Sequence, residues 1–484
     1  MNAIKYRPCL KRHFFLTAIV LFATVAQAQQ RDKSGGISAD MLRQMEQAEA
    51  AQPSSRAIFN AIASNKIDDL ARNFANQGPI DTRFSIETPA QSIHNQKSSG
   101  RCWMFSGLNV LRSGFAKMHD DTLAVEFSHD YLFFYDQLEK ANLMLQGVVD
   151  HADKPIDDPR VQFFFHSPLG DGGTFCGVAD LAAKYGLVPM SVQPETYSAE
   201  NTSRMSALLK SKLRQFGLEL RRMVADKKKP AQIEKRKTEQ LATIYHMLCL
   251  TLGEPVKTFT YVHRDKNGTP KGEPKTYTPQ QFYEETVAGL PLLKGGAGQG
   301  YIMVMNDPRR PYHKTYEVEY DRHTYDGTNW KYLNLPMDEI AALAIASLSD
   351  GTKLYSSYDV GKQLDRTRGY CDLENFDYAS LLATDFPMDK ADRISTFDSG
   401  STHAMTLTAV DLDADGQPTR WKVENSWGAD SGQKGYVVMT NRWFNEYMFR
   451  LVVDARYVPQ QLVQEYQQKP LMVMPEDPLF QMDE

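Results

Sequence analysis

The chain has 484 residues, with 42% hydrophobic and 24% charged, values of an ordinary globular protein rather than a disordered one. Only one stretch is apolar enough to concern a membrane, and a formal charge of −5 gives no general reason to expect a nucleic-acid partner. The length is enough for two or three domain-sized units, or for one core carrying large insertions.

The apolar stretch comes first. Lys5, Arg7, Lys11 and Arg12 form a positive region, Phe14 to Val25 a short apolar core, and Ala26-Gln27-Ala28 a cleavage site. Residues 1–28 therefore read as a signal peptide, which predicts export to the periplasm or secretion and no membrane association after cleavage. Its removal takes away four positive charges and no acids, moving the net charge from −5 to −9. Residues 29–57, rich in Ala, Gln, Ser and Glu, are expected to form a mobile lead-in. A globular pattern then runs over 58–484.

Gln96-Lys97-Ser98-Ser99-Gly100-Arg101-Cys102-Trp103 is the most informative stretch. Met104, Leu108, Leu111, Phe115 and Met118 follow at steps of four and three, the stripe of a buried helix. Cys102 thus belongs to a first helical turn, where unpaired N–H groups and the helix dipole favour an anion. A thiolate is such an anion, and it is the nucleophilic form of cysteine. Gly100 permits close approach of a substrate backbone. Gln96, on the preceding loop, can aim its amide at the same point and, with the Cys102 N–H, form an oxyanion hole. Five cysteines are present, and Cys9 leaves with the signal peptide. The irregular spacing of the other four shows no disulfide framework, so Cys176, Cys249 and Cys371 read as packing residues.

From Arg204 to Lys237 basic residues outnumber acids, and Leu208, Leu209, Leu213, Phe216 and Leu220 recur at helical spacing. This predicts an amphipathic helical insertion over about 200–255 with a solvated basic face. Short β-prone runs with turn signals occupy 258–283, and 315–320 alternates as a strand. A second strand is expected over 405–410, with His403 at its head on the same face as Met405 and Leu407. Trp421 to Gly428 reads as a strand entering a turn. There Asn425 can orient the His403 imidazole, and Trp427 can shield that bond. Helices gather before about residue 255 and strands after it, which makes the fold α+β. Cys, His and an orienting Asn satisfy the requirements of an activated nucleophile. No His/Cys cluster has ligand spacing, so no metal or cofactor is implied.

The order Gln-x5-Cys-Trp, His-Ala, Asn-Ser-Trp-Gly resembles the papain superfamily. Two departures mark a subgroup: Ser99 replaces the disulfide Cys of papain and cathepsins, and His403 lies about 300 residues beyond Cys102 rather than the usual 130–150. With Asp171-Gly172-Gly173, Lys184 to Pro189, Asp359-Val360-Gly361-Lys362 and Trp443 to Tyr447, the chain is similar to bleomycin hydrolase and the aminopeptidase C enzymes. The resemblance implies a papain-like two-lobed peptidase domain over 58–484, with Cys102 as nucleophile, His403 as base, Asn425 as its orienter and Gln96 as oxyanion donor. It also implies that Gly172 and Gly173 pair with the substrate backbone. A C-terminal arm over about 470–484 would lie in the cleft, with Glu484 meeting the free amino group of peptide substrates. The resemblance further implies a homohexamer. Two other readings stay open: an endopeptidase whose arm leaves the cleft unblocked, and a nucleic-acid-binding protein working through the basic insertion, against which the negative net charge argues.

Overall fold

In a computed structural model of the chain, the structure describes residues 35–52 and 55–480. The predicted signal peptide and Glu484 lie outside them. The described residues fall into two units, one ending at Ala71 and one starting at Arg72. In the first, the expected lead-in contains a helix, Ala39–Ala50, with no buried residue, capped by the Ser38 side chain. Helices Ser55–Ile62 and Ile67–Ala71 follow.

The second unit is α+β, as the sequence implies. Its early half is helical. Helix Cys102–Met118 is buried along nearly its whole length, so its apolar stripe widens to all sides. Helix His129–Asp150 starts at Ser128, whose hydroxyl accepts from the Tyr131 N–H. Two long helices, Thr202–Ala225 and Pro230–Leu252, fall in the range 200–255 and pack on it and on each other. Their inward stripe in the first helix is Met205, Leu209, Leu213, Phe216 and Leu220. Leu208 was expected on this stripe but is 47% exposed, because it lies one position off the four-and-three spacing that the inward residues keep.

Strands dominate after residue 255. The predicted turn region is a two-stranded antiparallel hairpin, Phe259–Tyr261 with Lys275–Tyr277. A larger sheet holds Tyr301–Met305, Lys314–Val318, Lys331–Asn334, Leu354–Tyr358, His403–Leu412, Pro418–Glu424, Tyr436–Thr440 and Met448–Asp454. His403–Leu412 is central, antiparallel to Leu354–Tyr358 on one side and Pro418–Glu424 on the other. Residues 403–410 are buried throughout, since helix Cys102–Met118 and helix Met337–Ser349 both pack on this strand. The register pairs Thr406 with Glu424 and His403 with Tyr358, which brings the head of this strand beside the turn after Glu424.

Candidate active site

The helix carrying Cys102 abuts the head of the strand carrying His403, and a cavity of about 450 Å³ opens where they meet. Gln96, Cys102, Gly172, Gly173 and His403 all line it. Asn425 stands behind His403. The predicted residues within the described chain are thus gathered at one place, although 329 positions separate Gln96 from Asn425.

Cys102 opens its helix, and Arg101 precedes it without any side-chain cap bond. The first N–H groups of the helix and their dipole face an anion at this end. The Ala404 N–H also points to the thiol, donating to Cys102 Sγ at 3.4 Å. Both favour thiolate over thiol. Arg101 itself is fully buried away from the cleft. Its guanidinium pairs with Glu195 at 2.7 Å and lies over the Phe105 and Phe133 rings.

His403 Nε2 meets Asn425 Oδ1 at 2.8 Å, and the same oxygen accepts from the Ser426 N–H at 2.8 Å. An oxygen can only accept, so the proton of the neutral ring sits on Nε2 and Nδ1 is left as the basic nitrogen. Trp427 stacks on the imidazole with 5.0 Å between ring centroids, and the Arg366 guanidinium lies over the indole, 4.8 Å from its centroid. Burial pushes the His403 imidazole down to about 4, the Asn425 bond opposing this and the Arg366 charge adding to it. The ring is therefore a neutral base at pH 7.

Gln96 is 6% exposed and held at both ends of its amide. Its Oε1 accepts from Ser426 Oγ at 2.5 Å and its Nε2 donates to the Ser99 carbonyl at 2.5 Å. Its backbone N–H donates to Ser426 O at 2.8 Å. The loop turns through Lys97 in the left-handed region, φ 55°, where the Asn95 side chain accepts from the Lys97 N–H at 2.8 Å. Ser426 thus fixes both Asn425 and Gln96, a role not visible in the Asn-Ser-Trp-Gly string itself.

Gly100, expected to admit a substrate backbone, lines the cavity, and the Asp171 carboxylate also approaches it closely. That group accepts from the Gly100 N–H at 2.7 Å and from the Thr202 hydroxyl, and a Cβ at Gly100 would lie 2.4 Å from Asp171 Oδ1. Asp171 therefore ties the loop before Cys102 to the glycine segment opposite. Cys176, Cys249 and Cys371 form no disulfide, and burial pushes their thiols up.

The model of the Peptidase C1-like family matches residues 36–480. The chain belongs to that family. It is 37% identical over 432 residues to aminopeptidase C of Lactobacillus delbrueckii subsp. lactis, covering 88% of this chain and 94% of the relative. Human bleomycin hydrolase is 37% identical over 410 residues, covering 82% and 87%. Among solved structures, PepW of Lactobacillus rhamnosis HN001 superposes with a TM-score of 0.85 at 37% identity, covering 92% of this chain and 99% of that one. The protein is a cysteine peptidase with the papain-like α+β fold.

Proposed function

We propose that the protein is a cysteine aminopeptidase that hydrolyses N-terminal peptide bonds through a thioester acyl-enzyme. The observation that carries this reading is the convergence of Cys102, the Asn425-held His403 and Gln96 on one cavity walled by Gly172 and Gly173. Cys102 passes its proton to the free Nδ1 of neutral His403 as its sulfur attacks the scissile carbonyl. The carbonyl oxygen becomes an oxyanion and takes bonds from Gln96 Nε2 and the Cys102 N–H. Collapse expels the leaving amine, which receives the His403 proton, and a thioester remains on Sγ. Water then attacks the thioester, giving its proton to His403, and the carboxylate product and thiolate are released. Asn425 keeps the ring plane and tautomer through both halves.

The amino-terminal specificity is supported by the similarity to aminopeptidase C and by the course of the chain end. Strand Leu471–Val473 pairs in parallel with Lys314–Val318. Asp477 accepts from Arg309 and Arg310, each at 2.6 Å, and Leu479 is fully buried. The ring of Phe480 lies 5.4 Å from the guanidinium of Arg450, a residue that lines the cavity. The acidic segment after Phe480 is proposed to continue into the cleft, where Glu484 meets the substrate ammonium and excludes longer chains. Export ahead of residue 29 and assembly into a homohexamer belong to the same proposal. N-terminal sequencing and solution mass read them directly.

The test is truncation. Deleting Phe480 to Glu484 should weaken cleavage of a free-amine substrate and admit its N-blocked counterpart. If the ratio of kcat/KM for the two stays that of the intact enzyme, the arm does not set specificity and an endopeptidase reading replaces this one.

A further inference from the structure

Behind the glycine wall lies a buried polar network that the chemistry at Cys102 does not use. Asp136, on helix His129–Asp150, and His323 are both buried from solvent. His323 Nε2 accepts from the Thr174 N–H at 3.1 Å, which places the ring proton on Nδ1, and Nδ1 donates to Asp136 Oδ1 at 2.5 Å. The other oxygen of Asp136 accepts from Lys140 Nζ and Gln137 Nε2, each at 3.0 Å. These two donors also reach the wall itself. Lys140 donates to the Gly172 carbonyl at 2.6 Å and the Gly170 carbonyl at 3.1 Å, and Gln137 to the Gly170 carbonyl at 2.9 Å. Trp103, next to the nucleophile, closes the ring of contacts. Its indole N–H donates to the Asp171 carbonyl at 2.8 Å, and its ring meets His323 with 4.4 Å between centroids.

The imidazole rests on bare backbone. A Cβ at Gly173 would lie 2.1 Å from His323 Cε1, and one at Gly177 2.2 Å from His323 Cδ2. Burial pushes the Asp136 carboxyl up, and Lys140 with the His323 bond outweighs it, holding the group below the usual carboxylate range. A buried carboxylate is costly, and apolar residues could fill the same volume. What apolar residues could not do is bind successive peptide groups of one segment, as this network does over 170–174.

We propose that Asp136, His323 and Lys140 are positioning residues for substrate binding: they set the height and tilt of the Gly172–Gly173 peptide edge, so that the substrate backbone docks with its scissile carbonyl at Cys102. This rests on the reading of that edge as the substrate wall. Asp136→Asn is the informative change. If its amide oxygen faces His323, its NH2 faces the donors Lys140 and Gln137. If it turns over, the NH2 forces the proton to His323 Nε2, against the Thr174 N–H. Either orientation breaks one side of the brace while keeping the side chain's size.

The experiment compares wild type and Asp136→Asn with a free-amine fluorogenic peptide and, separately, with iodoacetamide, a small reagent that needs the thiolate but no wall. The expected result is a KM raised by about tenfold or more, with kcat and the alkylation rate each within about threefold of wild type. An unchanged KM overturns the proposal. So does a fall of kcat and alkylation rate in step, which a general loosening of the site would produce. If Asp136→Asn does not fold, Lys140→Met keeps the Asp136–His323 bond, removes the donor to the Gly172 carbonyl together with the ion pair to Asp136, and is judged by the same criteria. Failure of the proposed cysteine-peptidase function looks different: wild-type turnover would survive iodoacetamide.

Discussion

Gln96→Ala is the substitution whose effect the geometry constrains most closely. Both ends of the Gln96 amide are occupied, the oxygen by Ser426 Oγ and one Nε2 proton by the Ser99 carbonyl. One N–H is left for an oxyanion, and its direction is set before substrate arrives. A preorganised donor of this kind contributes about 2.7–4 kcal/mol to the transition state, or about 10²–10³ in kcat. Ser426→Ala keeps the donor and removes one orienting bond, worth about 0.5–1.5 kcal/mol, a loss of about twofold to thirteenfold. The backbone bond from Gln96 N to Ser426 O survives in both variants. The prediction is therefore an order: Gln96→Ala far below Ser426→Ala, and Ser426→Ala a little below wild type, with KM moving little in any of them. Steady-state kinetics on an aminoacyl fluorogenic substrate reads it. If Gln96→Ala stays within about threefold of wild type, or Ser426→Ala costs as much as Gln96→Ala, the donor has been misassigned.

Asn425→Ala should lower kcat strongly without abolishing it, because His403 persists with its ring less well oriented; unaltered kcat would contradict the positioning role. In a Cys102→Ala background the His403 ring should titrate near the value of about 4 set chiefly by burial, neutral above it and charged only below. Because the folded value lies under the ordinary value of 6.5, this group favours the folded state above pH 6.5 and loses that contribution as pH falls towards 4. A ring resonance titrating at or above 6.5 would refute the assignment. Glu424→Gln should destabilise the fold by about 3 kcal/mol or more, because it leaves a buried cation without its charge partner. Glu424 bridges Lys353 at 3.0 Å and Arg112 at 2.7 Å; Arg112 keeps Glu126 at 2.7 Å, so Lys353 is the cation stranded. Denaturant unfolding measures this, and an unchanged midpoint would show the bridge to be dispensable.

The apolar stripe after Cys102 made the helix that begins there legible, because local periodicity alone places a residue at a helix start. The strand heading at His403 was legible for the same reason. Its burial on both faces was not, since the two helices that cover it come from residues far away in the chain. Leu208 shows the limit of spacing arguments, as a leucine one position off the inward stripe is simply exposed. Gly100 shows another: the sequence marks a close approach there without saying that the Asp171 carboxylate makes it. Asp136, Lys140 and His323 carried no signal at all. The first two are polar positions of helix His129–Asp150, and the His323–Asp136 pair spans 187 residues. Local pattern cannot encode such a contact. Ser426 lay inside the recognised string, yet its bond to Gln96 emerges only when the strand and the loop meet.

Labelling with a thiol alkylator at pH 7 tests whether Cys102 is the nucleophile. Cys176 and Cys371 are fully buried, and burial pushes their thiols, and that of Cys249, up. One equivalent of label should therefore appear on Cys102 by peptide mass mapping, with turnover lost in proportion. Cys102→Ala should remain folded, take no label under the same conditions and show no hydrolysis. Turnover retained in Cys102→Ala, or activity surviving complete labelling of Cys102, would contradict the account.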